Sequence, residues 1–166
     1  MPYIIDGHNL LGQTPGLSLT SPEDRRALLA RLTAFCRGRR AKMTVFFDGE
    51  PPEGWRADTH LGNVRVLHSG RGRSADDAIL EMIRKSRAPS DVTLVTSDRA
   101  LYERGRHLGA KGMPGHKFRE MMSRDPRGSA HGADKPERPS AEEVAYFLEL
   151  FGGTEEIDPS RSRKRR

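Results

Sequence analysis

The sequence predicts an α/β fold, a three-layer α/β/α sandwich around a central, mostly parallel sheet of five strands, and three observations carry that reading. Short apolar runs alternate with helix-like patterns as far as residue 124, the order that right-handed crossover connections produce. The runs are brief and rich in Val, Ile, Leu and Phe, as suits strands buried on both faces. Four acidic words, Ile4-Ile5-Asp6-Gly7-His8-Asn9, Phe46-Phe47-Asp48-Gly49, Ser74-Ala75-Asp76-Asp77 and Thr96-Ser97-Asp98, follow such a run or open a helix. In an open parallel sheet the strand carboxyl ends gather at one crevice, so aspartates placed there converge although long stretches of chain separate them.

The five strands are expected at residues 3–6, 43–48, 64–68, 92–96 and 110–113. Between them, Ser21-Pro22 supplies an N-cap followed by proline at the first helical position, after which Leu28, Leu32 and Phe35 recur on one face. A second helix starts at Ser74 and turns Ala75, Ile79 and Ile83 inward; a third starts near Ser97 and carries Leu101 and Leu108; a fourth covers residues 116–122. These elements make residues 1–124 one domain. Residues 125–139 hold three prolines, two glycines and no large apolar side chain, which reads as a flexible connector. Residues 140–153 open with the capping box Ser140-Ala141-Glu142-Glu143 and set Val144, Phe147, Leu148 and Phe151 in one stripe, a helix expected to dock back on the sandwich. Residues 154–166 read as a disordered basic tail.

With 34% hydrophobic and 31% charged residues, the composition is that of a soluble domain. No apolar run approaches the roughly 18 residues of a membrane span, and no secretory leader precedes Tyr3-Ile4-Ile5, so the sequence predicts a cytoplasmic protein without a membrane partner. The single cysteine, Cys36, excludes an internal disulfide, and no Cys/His cluster has zinc spacing. A net charge of +6 points to polyanionic partners. The last nine residues carry +4 of it, and a tail such as Arg161-Ser162-Arg163-Lys164-Arg165-Arg166 is most commonly used on nucleic acid.

Each aspartate has a bland reading beside the functional one. Asp6-Gly7 and Asp48-Gly49 are turn sequences, yet a turn does not explain why the strand-Asp-Gly arrangement occurs twice; for Asp48 the two readings stay level. Asp76 and Asp77 favour a helix macrodipole wherever they sit in a first turn. From Asp76, the positions three, four and seven residues on are Ile79, Leu80 and Ile83, which directs its side chain inward; from Asp77 they are Leu80, Glu81 and Arg84, a mostly solvated face. An inward carboxylate without a cation is costly unless it binds metal or accepts hydrogen bonds, so Asp76 is the better ligand and Asp77 the better capping residue. Asp98 is balanced between capping the next helix and joining the site. An oxygen-only donor set selects hard cations such as Mg²⁺ or Mn²⁺.

Other phosphate chemistries lack their motifs: there is neither Gly-x-x-x-x-Gly-Lys-Ser/Thr nor a Gly-x-Gly-x-x-Gly after the first strand. In Gly70-Arg71-Gly72-Arg73 the two arginines, just ahead of Asp76, are either phosphodiester contacts or a solvated loop. Lys117, Arg119 and Arg124 are further candidates for phosphate contact, Trp55 for stacking on a base or capping the core, and His8 for substrate contact or packing in its turn.

With these residues in view, the chain resembles the NYN family of PIN-like nucleases, in its bacterial YacP-like branch, which includes ribosome-associated messenger-RNA endonucleases. The matching words are Ile5-Asp6-Gly7-His8-Asn9, Phe47-Asp48-Gly49, Ser74-Ala75-Asp76, Thr96-Ser97-Asp98 and, more loosely, residues 115–121. The resemblance covers roughly residues 1–150. It implies a PIN-like, Rossmann-like fold and cleavage of RNA, with the ribosome as a further partner. It also implies an acidic metal site, in which Asp6, Asp76 and Asp98 correspond to the family's acids and Asn9 to the polar partner of its first motif. The mechanism expected from these residues is hydrolysis assisted by Mg²⁺ or Mn²⁺, with Asp6, Asp76 and Asp98 catalytic and Asp48, Asp77 and Asn9 as outer or water-mediated ligands. His8 stands where many relatives have tyrosine, and residues 125–139 and the Arg-rich tail lie outside the family pattern. The residues leave two rivals: an RNA- or ribosome-binding module with an inactive site, and a metal phosphohydrolase of small substrates.

Overall fold

The computed structural model describes residues 2–37 and 39–124. The expected connector, the helix over residues 140–153 and the basic tail lie outside the described residues. Among the described residues, six strands form one sheet: β1 (Pro2–Asp6), β2 (Lys42–Phe47), β3 (Asp58–Leu61), β4 (Val64–His68), β5 (Thr93–Val95) and β6 (Lys111–Met113). Among the described residues, five α-helices accompany them: α1 (Gly7–Gly12), α2 (Pro22–Arg37), α3 (Ala75–Lys85), α4 (Arg99–His107) and α5 (Gly115–Ser123). The strand order is β3-β4-β2-β1-β5-β6, and every pairing is parallel except β3 with β4.

The expectation of five strands is therefore corrected to six. The added strand, β3, escapes a hydrophobic pattern because its residues Asp58, Thr59 and His60 stay outside the core and only Leu61 is buried. Its register comes instead from the two-residue turn Gly62-Asn63, where Gly62 takes φ 59° and lets β4 double back. Helix α1 is the other addition; six residues opening Gly-His-Asn read as a turn by sequence alone.

The helices settle on two faces according to strand alternation. Ile5, Val45, Phe47 and Val95 join Leu10 and Leu11 of α1, Leu28, Leu29, Leu32 and Phe35 of α2, and Phe118 of α5 in one buried cluster. Ile4, Phe46 and Leu94, one step out of phase, join Ile79, Leu80 and Ile83 of α3 and Leu101 of α4 in the other. Because side chains alternate with period two, the positions two beyond Ile4, Phe46 and Leu94 should point to the α3/α4 face. Those positions are Asp6, Asp48 and Thr96.

Gly7 lets α1 start directly over β2. A Cβ there would lie 2.7 Å from the Phe46 carbonyl oxygen and 2.7 Å from the Phe47 ring. The close approach places the α1 N-terminus, and with it Asp6, at the carboxyl edge of the sheet. From β1 the chain moves to β2 on one side, and it returns through α3 to β5 on the other. The crevice over β1 is thus a topological switch point, where open α/β sheets bind ligands.

Candidate metal and nucleic-acid site

Asp6 ends β1 and caps α1. Its Oδ1 accepts from the Asn9 backbone N–H at 3.2 Å and its Oδ2 from the Thr96 hydroxyl at 3.1 Å, with only 6% of the residue exposed. Burial raises its pKa against the lowering effect of these two bonds, and Asp48 and Asp98 raise it further. Among the described residues, no cation forms an ion pair with it.

Thr96, 1% exposed, joins two of the carboxylates: its hydroxyl donates to Asp6 and accepts from the Asp98 backbone N–H at 3.0 Å. Asp98 caps α4, its Oδ1 taking the Leu101 N–H at 2.9 Å. The two readings of Asp98 are therefore compatible, since one oxygen does the capping while the exposed carboxylate stands at the crevice.

Ser74 caps α3 by accepting from the Asp77 N–H at 3.1 Å, which frees both acids of the first turn from that task. The carboxylate of the half-buried Asp76 makes no hydrogen bond or ion pair among the described residues. Burial raises its pKa most, followed by Asp6, Asp98 and Asp48, while Arg104 of α4 opposes the shift. Asp77 faces outward, with Arg104 Nη2 at 3.8 Å from its Oδ1.

Asp48, at the end of β2, crosses to α3: its Oδ1 accepts the Ala75 N–H at 2.7 Å. Its own N–H donates to His8 Nδ1 at 3.0 Å, which places the His8 proton on Nε2. Burial and the nearby Arg25 lower the His8 pKa. The Asp48-Gly49 word is thus both a turn and a tie between β2, α1 and α3, with its side chain 54% exposed at the crevice rim.

The Asn9 side chain holds the backbone of the β5–α4 loop. Its Oδ1 accepts the Ser97 N–H at 2.8 Å, and the Ser97 hydroxyl donates to Gln13 Oε1 and accepts from the Gly115 N–H, each at 3.0 Å. This knot holds the β5–α4 loop against α1 and α5 and so fixes where Asp98 stands. The loop arginines have acidic partners: Arg71 lies 3.7 Å from Glu50, and Arg73 pairs with Glu81. Lys117 is exposed on α5. Trp55 is 7% exposed and packs edge-on to His68, so it caps the core as one of its two readings held.

Three contributors carry no local sequence signal. Thr96 reads as an ordinary strand end. Arg104 reaches the crevice from another helix. Arg25, on α2, lies with its guanidinium carbon 5.2 Å from the centroid of the Phe47 ring, on the α2 face of the sheet.

Asp6, Asp48, Asp76 and Asp98 therefore share one electrostatic environment, assembled from β1, β2, α3 and the β5–α4 loop. Among the described residues, no three His, Cys, Asp or Glu side chains form a ready-made metal cage. The donors are all oxygen and they repel one another; Asp6 is buried and Asp76 half-buried, while Asp48 and Asp98 are exposed. Such a set fits a hard divalent cation that takes one or two carboxylates and completes its shell with water and phosphate oxygens.

The sequence profile of the YacP-like NYN domain matches residues 3–148. The chain belongs to the YacP-like NYN domain family. This family is nuclease-like and related to RNA. The fold agrees with the crystal structure of Rae1 (YacP) from Bacillus subtilis, which superimposes with a TM-score of 0.63 at 19% identity over 74% of each chain. A point mutant of the same protein gives 0.61 at 18% identity, again over 74% of each. At that identity the likeness is one of fold. No curated protein shows a significant sequence match to the chain. Among the described residues, no helix is long and apolar enough to cross a membrane.

Proposed function

We propose that this YacP-like NYN protein is a Mg²⁺- or Mn²⁺-dependent endoribonuclease that hydrolyses RNA phosphodiester bonds, with ribosome-associated messenger RNA as its substrate. The observation that carries the reading is Asp76, a half-buried carboxylate without a protein partner among the described residues, facing Asp6, Asp98 and Asp48. Such an arrangement is unfavourable unless a cation enters it.

Asp6, Asp76 and Asp98 would hold one or two metal ions, with Asp48, Asp77 and Asn9 as outer or water-mediated ligands. A bound divalent ion supplies an activated water and charge neutralisation at the phosphate. The chain's own residues do the positioning. Thr96 fixes Asp6 and the Asp98 backbone in one bond network, and Asn9 anchors the adjoining loop through Ser97. Asn9, Arg71, Arg73 and Lys117 are the proposed substrate contacts; Arg71 and Arg73 would exchange Glu50 and Glu81 for phosphate. Attack by water rather than by the ribose 2′-hydroxyl leaves 5′-phosphate and 3′-hydroxyl ends.

The test is cleavage of end-labelled single-stranded RNA and of translating ribosomes by wild-type and Asp76→Asn protein in Mn²⁺, Mg²⁺ or chelator, with product ends mapped. The expected outcome is metal-dependent 5′-phosphate products, with the variant slowed by at least about a thousandfold while RNA binding persists. Binding without cutting by the wild type would instead mark an RNA- or ribosome-binding module.

A further inference from the structure

The four coupled carboxylates repel a polyanion, so an RNA strand must be held by cations beside them. Two arginines flank the crevice on opposite faces of the sheet. Arg25 projects from α2 on the face of Phe47, His8 and His68. Arg104 projects from α4 on the face of Asp76 and Asp77.

The Arg25 guanidinium has neither an ion pair nor a hydrogen bond among the described residues. Its Nε is buried without a hydrogen-bond partner, and its contact is with the Phe47 ring. Helix α2 does carry acids, but Asp24 is turned to its own N-terminus, where Oδ2 accepts the Ser18 N–H at 2.8 Å. Below Arg25, His68 is 8% exposed and stacks on Phe47 with both ring nitrogens unpartnered. Burial and Arg25 push its pKa down to about 4, so at neutral pH it adds no charge. Polar groups left unpaired in such a place call for a bridging water or an incoming ligand. Arg104 is held only loosely: Asp77 is 3.8 Å away, and the two side chains are 57% and 62% exposed. An exposed pair of that kind contributes little and exchanges readily for phosphate.

We propose that Arg25 and Arg104 form a phosphate clamp, holding a single-stranded RNA across the carboxyl edge of the sheet so that the backbone phosphates on either side of the acidic crevice each meet one guanidinium. The planar forks suit phosphate oxygens, and Phe47 keeps Arg25 in place by stacking on it. The scissile phosphate then lies between them, over Asp6, Asp76 and Asp98. This inference rests on the nuclease reading for its choice of RNA, but its test separates the two.

Binding is measured by fluorescence anisotropy with a short labelled single-stranded RNA, on full-length protein carrying Asp76→Asn to prevent turnover, across a salt series. Each lost phosphate contact lowers the slope of log affinity against log salt by about 0.7 for a single strand. Arg25→Gln and Arg104→Gln should each lower it by about that amount, and the pair by about twice as much, whereas Arg31→Gln, an exposed cation farther along α2, should leave it unchanged. Arg25→Met, which keeps an apolar stem against Phe47, repeats the Arg25 measurement if the glutamine variant is unstable. Unchanged slopes for Arg25→Met and Arg104→Gln overturn the clamp, even if the wild type cuts RNA. Lowered slopes with an inert wild type would uphold the clamp and remove the nuclease reading.

Discussion

The protein treats two groups of aspartates in opposite ways. On the β3–β4 hairpin, Asp58 receives Arg65 in a two-pronged pair, Nε to Oδ1 at 3.0 Å and Nη2 to Oδ2 at 2.5 Å, with His60 at 3.8 Å. The hydrogen bonds from Arg65 lower its pKa most, desolvation opposes them, and the charges of Arg65 and His60 lower it further. At the carboxyl edge of the same sheet, Asp6 and Asp76 have raised pKa values, from burial first and from other carboxylates after that. Nothing about a carboxylate requires either outcome. The hairpin aspartate closes a local register, whereas the crevice is left short of positive charge, which a structural role alone would not favour.

That contrast breaks most clearly through metal binding. At Mn²⁺ concentrations about a hundredfold above Kd, wild-type protein should gain about 2.7 kcal/mol of stability, seen as a rise of roughly 5–10 °C in melting temperature. Asp76→Asn should lose most of that gain and Asp58→Asn should keep it. Equal shifts in all three proteins would show that the ion binds elsewhere.

A smaller effect concerns the metal-free protein. Because Asp76 has a raised folded-state pKa, its repulsion is absent below the ordinary value of 3.8 and sets in as pH rises through the folded value. In chelator, Asp76→Asn should therefore be the more stable protein at neutral pH. The advantage should close on acidification, and partial exposure limits it to about 1 kcal/mol or less. Urea titrations at several pH values check the sign; a variant less stable than wild type at neutral pH would contradict it.

The smallest effect lies on the hairpin, with the opposite sign. Asp58 has a lowered pKa, so its contribution is present above 3.8 and fades as pH falls through the folded value. Asp58→Ala should cost about 0–1 kcal/mol at neutral pH, and less in high salt, because the pair is largely exposed. Unfolding midpoints at low and high salt measure it.

The elements with a buried, periodic face were legible in advance: strand Val64–His68 at its full bounds, α2 from its Ser21-Pro22 start, and α3 from Ser74. Those whose stability comes from partners were not. Strand β3 buries only Leu61 and is held by its pairing to β4, and α1 needs the contact surface of Phe46 and Phe47 to start where it does. At the site, helical spacing alone separated the half-buried Asp76 from the outward Asp77. The same reasoning could not reach Arg104, because its proximity to Asp77 depends on how α3 and α4 lie together. Nor could it show that Asn9 spends its oxygen on Ser97, a bond between residues 88 positions apart.

Local sequence alone sets the alternating α/β order and the placing of aspartates at strand ends and helix starts. These follow from short-range causes: side-chain alternation, helical period, caps and turns. Which charges are compensated depends on the folded arrangement. Ion pairing and desolvation depend on distances across the sheet, so a local pattern can supply the carboxylates but cannot say that Asp58 receives an arginine while Asp76 faces Asp6, Asp48 and Asp98.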